Sequence, residues 1–221
     1  MKYIKNQENL SEKTVLLRLD LNVPIKNGVI TDQTRIDKIL PVLNFLIKKK
    51  SKILVISHVG RPKGKVNKAL SLKPICKNIK KKINQKVNLI KDNILELKRE
   101  DLFGDPKEQI IFLENIRFYE QEEKNDTNFF FFLSNLADIF VNDAFSCCHR
   151  KQASIHKITN YVENCYAGPL LKKEIEAIDL VIKNKKEPIT CIIGGSKIST
   201  KINVILNLIR NVNNLIIVGA M

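Results

Sequence analysis

The 221-residue chain contains no apolar run near the roughly 20 residues that a membrane-spanning helix needs. Its first ten residues, MKYIKNQENL, hold no apolar segment of the signal-peptide kind, so a cytoplasmic protein that meets no membrane is expected. Cysteine is scarce and its number odd: Cys76, Cys147, Cys148, Cys165 and Cys191, irregularly spaced, argue against a disulfide framework. Cys147 and Cys148 are adjacent and precede His149, whereas zinc sites separate paired ligands by a few residues, so no metal site is read there. No Gly-Lys-Ser/Thr occurs, which excludes a Walker A loop, and without G-x-G-x-x-G dinucleotide binding lacks its fingerprint. Three histidines and no G-x-S-x-G elbow leave a Ser-His-Asp hydrolase without an anchor.

Acidic residues are in the minority: the formal net charge is +15 and the pI about 9.6. An excess of this kind marks many nucleic-acid binders, and a basic nucleic-acid-binding module is the alternative reading of this chain. The lysines, however, are spread over the whole sequence. The runs Lys48–Lys50 and Lys80–Lys82 end or line expected helices, no aromatics interleave with them, and Phe129–Phe132 reads as core. Nucleic acid is therefore not the expected partner.

What is present is a core: 44% of the residues are hydrophobic. Seven short aliphatic runs read as strands: Thr14–Leu19, Lys52–Ser57, Lys86–Ile90, Gln109–Leu113, Asp138–Asn142, Ile189–Ile193 and Asn214–Gly219. Most are continuous rather than alternating, as in parallel strands covered on both faces. Helical patterns lie between them. Asp32 or Thr34 is expected to cap one that carries Pro41, which predicts a kink or a late start. Ser71 caps a second with Pro74 in its first turn, and Asp126 or Thr127 opens a third. LLKKEIEAIDLVIKN, ending at Asn184, and STKINVILNLIRN, ending at Asn211, are amphipathic. The expected fold class is α/β: a doubly wound parallel sheet in a Rossmann-like three-layer αβα arrangement, with an incomplete second α/β domain. The Gly-Pro pair in YAGPLL (Tyr166–Leu171) marks the best boundary between them.

Ligands of such sheets bind beyond the carboxyl ends of the strands. The residues that follow four of these strands are Asp20-Leu21-Asn22, His58-Val59-Gly60-Arg61, Glu114-Asn115 with Arg117, and Asp143 followed by His149 and Arg150. Arg35 opens the first helix. Several guanidinium groups around one rim need an anion among them, and Arg suits bidentate pairing with carboxylate or phosphate. A small polyanion is the implied ligand. Gly60 and Gly64 would let the backbone approach it closely, while Asp20 and Asn22 would take hydroxyls or orient the arginines. A second candidate is IIGGSKISTK, where a strand ends at Gly194-Gly195 and Lys197 and Lys201 follow one helical turn apart; backbone N–H groups at such a corner suit phosphate. His156 reads as structural.

The stretches VLLRLDLNVP, ITDQTRI, SHVGRPKG, LENIRFYEQEEKND, FVNDAF followed by HR, and IIGGSKISTKINVI together resemble the phosphoglycerate kinase family, in family order across essentially the whole chain. The resemblance implies reversible phosphoryl transfer between 1,3-bisphosphoglycerate and ADP, giving 3-phosphoglycerate and ATP, by a monomer. Mg²⁺ would come with the nucleotide, and no organic cofactor is implied. Asp20, Leu21, Asn22, Arg35, His58, Val59, Gly60, Arg61, Arg117 and Arg150 would hold the acid. Arg35 and Lys197 would act on the moving phosphoryl group, and Lys201, Gly194 and Gly195 would bind the nucleotide. Residues 1–168 would form the acid-binding domain, 169–187 an interdomain helix and 188–221 the first βαβ of the nucleotide domain. Family members continue past this point, so a chain that binds acid substrate without turnover is expected. The stretch AFSCCHRKQAS departs from the small residues usual in the family before His-Arg.

Overall fold

A computed structural model describes residues 1–221 apart from 92, 184–186, 197, 220 and 221, and leaves aside the side chains of 181–183 and 200. In chain order the elements are β1 (Thr14–Leu19), the short strands β2 (Ile25–Lys26) and β3 (Val29–Ile30), α1 (Thr34–Lys48), β4 (Lys52–Ile56), α2 (Lys73–Ile83), β5 (Val87–Ile90) and β6 (Ile110–Leu113). There follow α3 (Glu120–Glu123), α4 (Thr127–Asn135), β7 (Ile139–Asp143), β8 (Asn164–Ala167), α5 (Pro169–Lys183), β9 (Thr190–Gly194), α6 (Ile202–Ile209) and β10 (Asn214–Val218). All seven expected strands are present, each end within one residue of its expected place. The chain divides into two compact units, Met1–Lys173 and Glu174–Met221, the division falling inside α5.

The first unit is built on a six-stranded sheet in the order β5-β6-β4-β1-β7-β8. Every pairing in it is parallel. The continuous aliphatic runs are explained by cover on both faces. Val15, Leu17 and Leu19 pack with Ile36, Ile39 and Leu43 of α1 and Ile75 and Ile79 of α2. Leu16, Leu54 and Ile56 pack on the other face with Phe129, Phe130 and Leu133 of α4. Each fully buried aliphatic or Phe side chain contributes about 1.5–3 kcal/mol relative to exposure. The family of the fold is therefore a three-layer αβα sandwich around a parallel sheet.

Local chemistry sets the helix starts. Asp32 Oδ1 accepts the Thr34 N–H at 2.8 Å, just ahead of α1. That helix runs through Pro41 from Thr34, so the alternative of a late start does not hold. Asp126 caps α4, its Oδ1 accepting the Phe129 N–H at 3.0 Å, whereas the N-cap of α2 is Leu72 and Ser71, one residue earlier, accepts the Lys73 N–H at 3.1 Å. Two features escape the sequence reading. Asn27 and Gly28, both at positive φ, close the β2–β3 hairpin, the Asn-Gly turn chemistry of a two-residue loop. Also, β8 occupies the residues just before the expected boundary and pairs with β7.

The four central strands β6, β4, β1 and β7 are neighbours, and the chain leaves β1 toward β4 on one side but β7 toward β8 on the other. The β1–β7 seam is thus the point where winding reverses, the place where such sheets open a crevice at their carboxyl edge. In the second unit β9 and β10 pair in parallel with α6 between them, a βαβ unit. Among the described residues no helix is long and apolar enough to cross a membrane.

Candidate active site

The carboxyl edge at the β1–β7 seam is tied together by Asp20, which is buried. Its Oδ2 pairs with the Arg35 guanidinium and accepts the Ser146 hydroxyl from the loop after β7. Asp20 therefore orients an arginine, one of the two roles its sign allows. Asn22 Oδ1 accepts the Gly60 N–H at 2.8 Å, joining the loop after β1 to the loop after β4. Leu21 and Val59 are buried in the core, backbone included. The Leu21 N–H donates to Ser57 Oγ at 3.1 Å, while the Val59 carbonyl accepts Asn115 Nδ2 at 2.8 Å.

His58 lies at the centre, 3% exposed. Its pKa is depressed to about 2, first by burial and then by the positive charges of Arg18, Arg117, Arg150 and Arg35. It is a neutral imidazole surrounded by guanidinium groups. Arg117 is buried; Nη1 donates to the Gly60 carbonyl at 3.1 Å and Nη2 to Gln152 Oε1 at 3.3 Å. Its Nε is buried without an acceptor among the described residues. Burial and the charges of Arg150 and Arg18 lower its pKa. The structure thus gathers Arg35, Arg117 and Arg150 about His58. Arg61 sits on the exposed side of the loop after Gly60, and His149 and His156 are exposed.

The sequence reading passed over Arg18, the largest fully buried side chain of β1. An arginine inside an apolar strand is the signal that could have found it, because a buried cation must be met by acceptors. Arg18 Nε donates to Ser154 Oγ at 3.1 Å, Nη1 to the Leu19 carbonyl, and Nη2 to His58 Nδ1 at 3.2 Å. Ser154 in turn donates its hydroxyl to Glu122 Oε1 at 2.6 Å and its N–H to Oε2 at 2.9 Å. Glu122, on α3, is fully buried; burial raises its pKa while Arg18, Ser154 and Arg117 oppose the rise.

The stretch AFSCCHRKQAS is accommodated by use rather than by looseness: Cys147 is buried, Cys148 exposed, Gln152 holds Arg117 and Ser154 holds Arg18. Two glycines of the loop after β4 have a reason within the protein itself. Gly60 and Gly64 have φ of +64° and +74°, and added Cβ atoms would stand 2.8 Å from Leu70 Cδ2 and 2.2 Å from Glu120 Cγ. Loop conformation and packing against Leu70 and Glu120 favour glycine at both positions. Asp20, His58 and Cys147 bring possible ligand atoms within 4.8 Å of one another. The surrounding guanidiniums and the engagement of Asp20 with Arg35 set the local field against a cation.

In the second unit, Lys201 Nζ donates to the Gly194 carbonyl at 2.6 Å, at the carboxyl end of β9. An added Cβ on Gly194 would stand 2.8 Å from Val218 Cγ2, so this glycine serves the β9–β10 pairing; Gly195 follows at φ +153°. Lys197 lies outside the described residues.

The family model for phosphoglycerate kinase matches residues 4–221. The chain belongs to the phosphoglycerate kinase family. The phosphoglycerate kinase of Wolbachia pipientis wMel is 47% identical over 212 residues, 96% of this chain and 53% of that protein. That of Dictyoglomus turgidum is 42% identical over 97% of this chain and 54% of its own length. The solved phosphoglycerate kinase of Coxiella burnetii superposes with a TM-score of 0.86 at 40% identity, covering 98% of this chain and 54% of that one. The structure from Pyrococcus horikoshii OT3 gives 0.86 at 28% identity, over 99% and 55% of the two chains. The chain spans about half the length of the phosphoglycerate kinases it matches.

Proposed function

We propose that this chain supplies the acid-binding half of a phosphoglycerate kinase, which moves a phosphoryl group reversibly between 1,3-bisphosphoglycerate and ADP. Residues 1–168 form the acid-binding domain, 169–187 an interdomain helix and 188–221 the first βαβ of the nucleotide domain. The observation that supports this most is the neutral His58 set among the guanidiniums of Arg18, Arg35, Arg117 and Arg150 at the sheet's carboxyl edge. A field of that density suits a small ligand with both carboxylate and phosphate. Arg35, Arg61, Arg117 and Arg150 take the charges of 3-phosphoglycerate. His58, Asp20 and Asn22 meet its polar groups, and Leu21, Val59 and Gly60 belong to the loops that carry them. Gly194, Gly195 and Lys201 bind nucleotide phosphates, and Mg²⁺ arrives as part of the nucleotide substrate.

Phosphoryl transfer asks the protein for in-line positioning and for positive charge on the equatorial oxygens of the moving group. The attacking group is already an anion, so no general base is needed. Arg35 serves the moving group from the acid side and Lys197 from the nucleotide side. Water must be excluded while the two substrates are held in line. The reading makes the protein a cytoplasmic monomer. The 221 residues on their own bind acid and do not turn over. Isothermal titration with 3-phosphoglycerate and with Mg–ATP tests this: the acid binds, ATP binds more weakly, and Arg61→Ala weakens the acid strongly. Tight ATP binding with no acid binding overturns the assignment of halves.

A further inference from the structure

Arg18, Ser154 and Glu122 are none of them assigned to a substrate, yet all three are fully buried and lie in one hydrogen-bonded line with His58. Every link has a fixed direction. Arginine carries five donors and no acceptor, so His58 Nδ1 must accept from Arg18 Nη2, and a neutral ring then carries its proton on Nε2. Ser154 Oγ accepts from Arg18 Nε and therefore turns its own proton to Glu122 Oε1, 2.6 Å away. The guanidinium has three different acceptors, Ser154 Oγ, the Leu19 carbonyl and His58 Nδ1, which hold its plane. Glu122 ends the line with the carboxylate that balances the buried cation. Of the four guanidiniums acting on His58, Arg18 is the one that holds the ring by a hydrogen bond.

We infer that Glu122, Ser154 and Arg18 are positioning residues that lock His58 in the Nε2–H tautomer, so that it meets an anionic substrate as a neutral, directed hydrogen-bond donor. The inference rests on the acid-binding reading for the identity of the substrate, but the tautomer does not. A protonated His58 would add a fifth positive charge to the cluster, and an Nδ1–H ring would set donor against donor at Arg18. Asp20 and Cys147 also face this histidine, each with a polar atom within 4.8 Å of a ring nitrogen. Among the described residues they are the titratable groups besides the guanidiniums that lie against it.

The test is two-bond ¹H–¹⁵N correlation spectroscopy of the histidine rings in the full chain, with His58 assigned by comparison with His58→Gln. The wild type shows the Nε2–H pattern for His58 from pH 7 down to pH 5. An Nδ1–H or imidazolium pattern in the wild type overturns the inference without any variant. Ser154→Ala shifts His58 to a mixture of tautomers and weakens 3-phosphoglycerate about tenfold, whereas Ser154→Thr, which keeps the hydroxyl, restores both. A folded Ser154→Ala chain in which the pattern stays wholly Nε2–H overturns the role of the line. A wild type that shows Nε2–H but binds no 3-phosphoglycerate leaves the lock standing and removes the acid-binding reading instead.

Discussion

Replacing His58 by Gln should change how the protein responds to acid more than how stable it is at neutral pH. In the folded state the ring takes a proton only near pH 2, because it is buried and faces several guanidiniums; in the unfolded chain it does so near 6.5. Between those values the unfolded state holds one more proton than the folded state. Stability therefore rises with pH through this window and is lost as pH falls below 6.5. The limiting slope is about 1.4 kcal/mol per pH unit, so two units below 6.5 cost about 2.7 kcal/mol from this ring alone. Asp143 acts in the opposite sense: burial raises its pKa to about 6 from 3.8, so its folded form gains a proton, and with it stability, as pH falls through 6. The wild-type curve alone mixes the two, but the difference between wild type and His58→Gln isolates the histidine. Urea unfolding followed by circular dichroism at about pH 7, 5.5 and 4.5 should show the variant gaining about 2–3 kcal/mol on the wild type by the lowest pH. A gap that stays constant within about 0.5 kcal/mol would mean that His58 titrates normally in the fold and that the guanidinium cluster does not act on it.

Two further outcomes follow from packing. Gly168→Ala would put a Cβ 2.3 Å from Asp143 Cγ, against a carboxylate whose Oδ1 accepts the Leu171 N–H at 2.8 Å; a loss of about 1–3 kcal/mol in chemical denaturation is expected, and no loss would show that this turn relaxes freely. Leu54→Ala, in the middle of β4 and registered between Leu16 and Ile111, should cost about 2–5 kcal/mol in the same assay; a cost below about 1 kcal/mol would contradict the close packing of that layer.

The sheet was legible because its central strands are continuous aliphatics, and only two-sided burial calls for that. β8 was not legible, because NCYA carries little aliphatic signal and is fixed by its pairing with β7 and by the bridge of Tyr3 to Ala167. In the site, the residues that end strands could be named from sequence order alone: Asp20, Asn22, His58 and Arg117. Glu122 and Ser154 could not, since a glutamate in a run of acids and a serine in a polar loop look solvated until the fold buries them. Gly60 and Gly64 stand out in the sequence as turn glycines, while their closeness to Leu70 and Glu120 shows only once the chain is folded.

The seam between β1 and β7 also has a temporal side. Arg18 emerges from the ribosome among the first residues, and the serine whose hydroxyl accepts its Nε–H follows 136 residues later. Until then the first strand carries a guanidinium that cannot be buried without cost, so β1 has reason to stay outside any collapsed intermediate during synthesis.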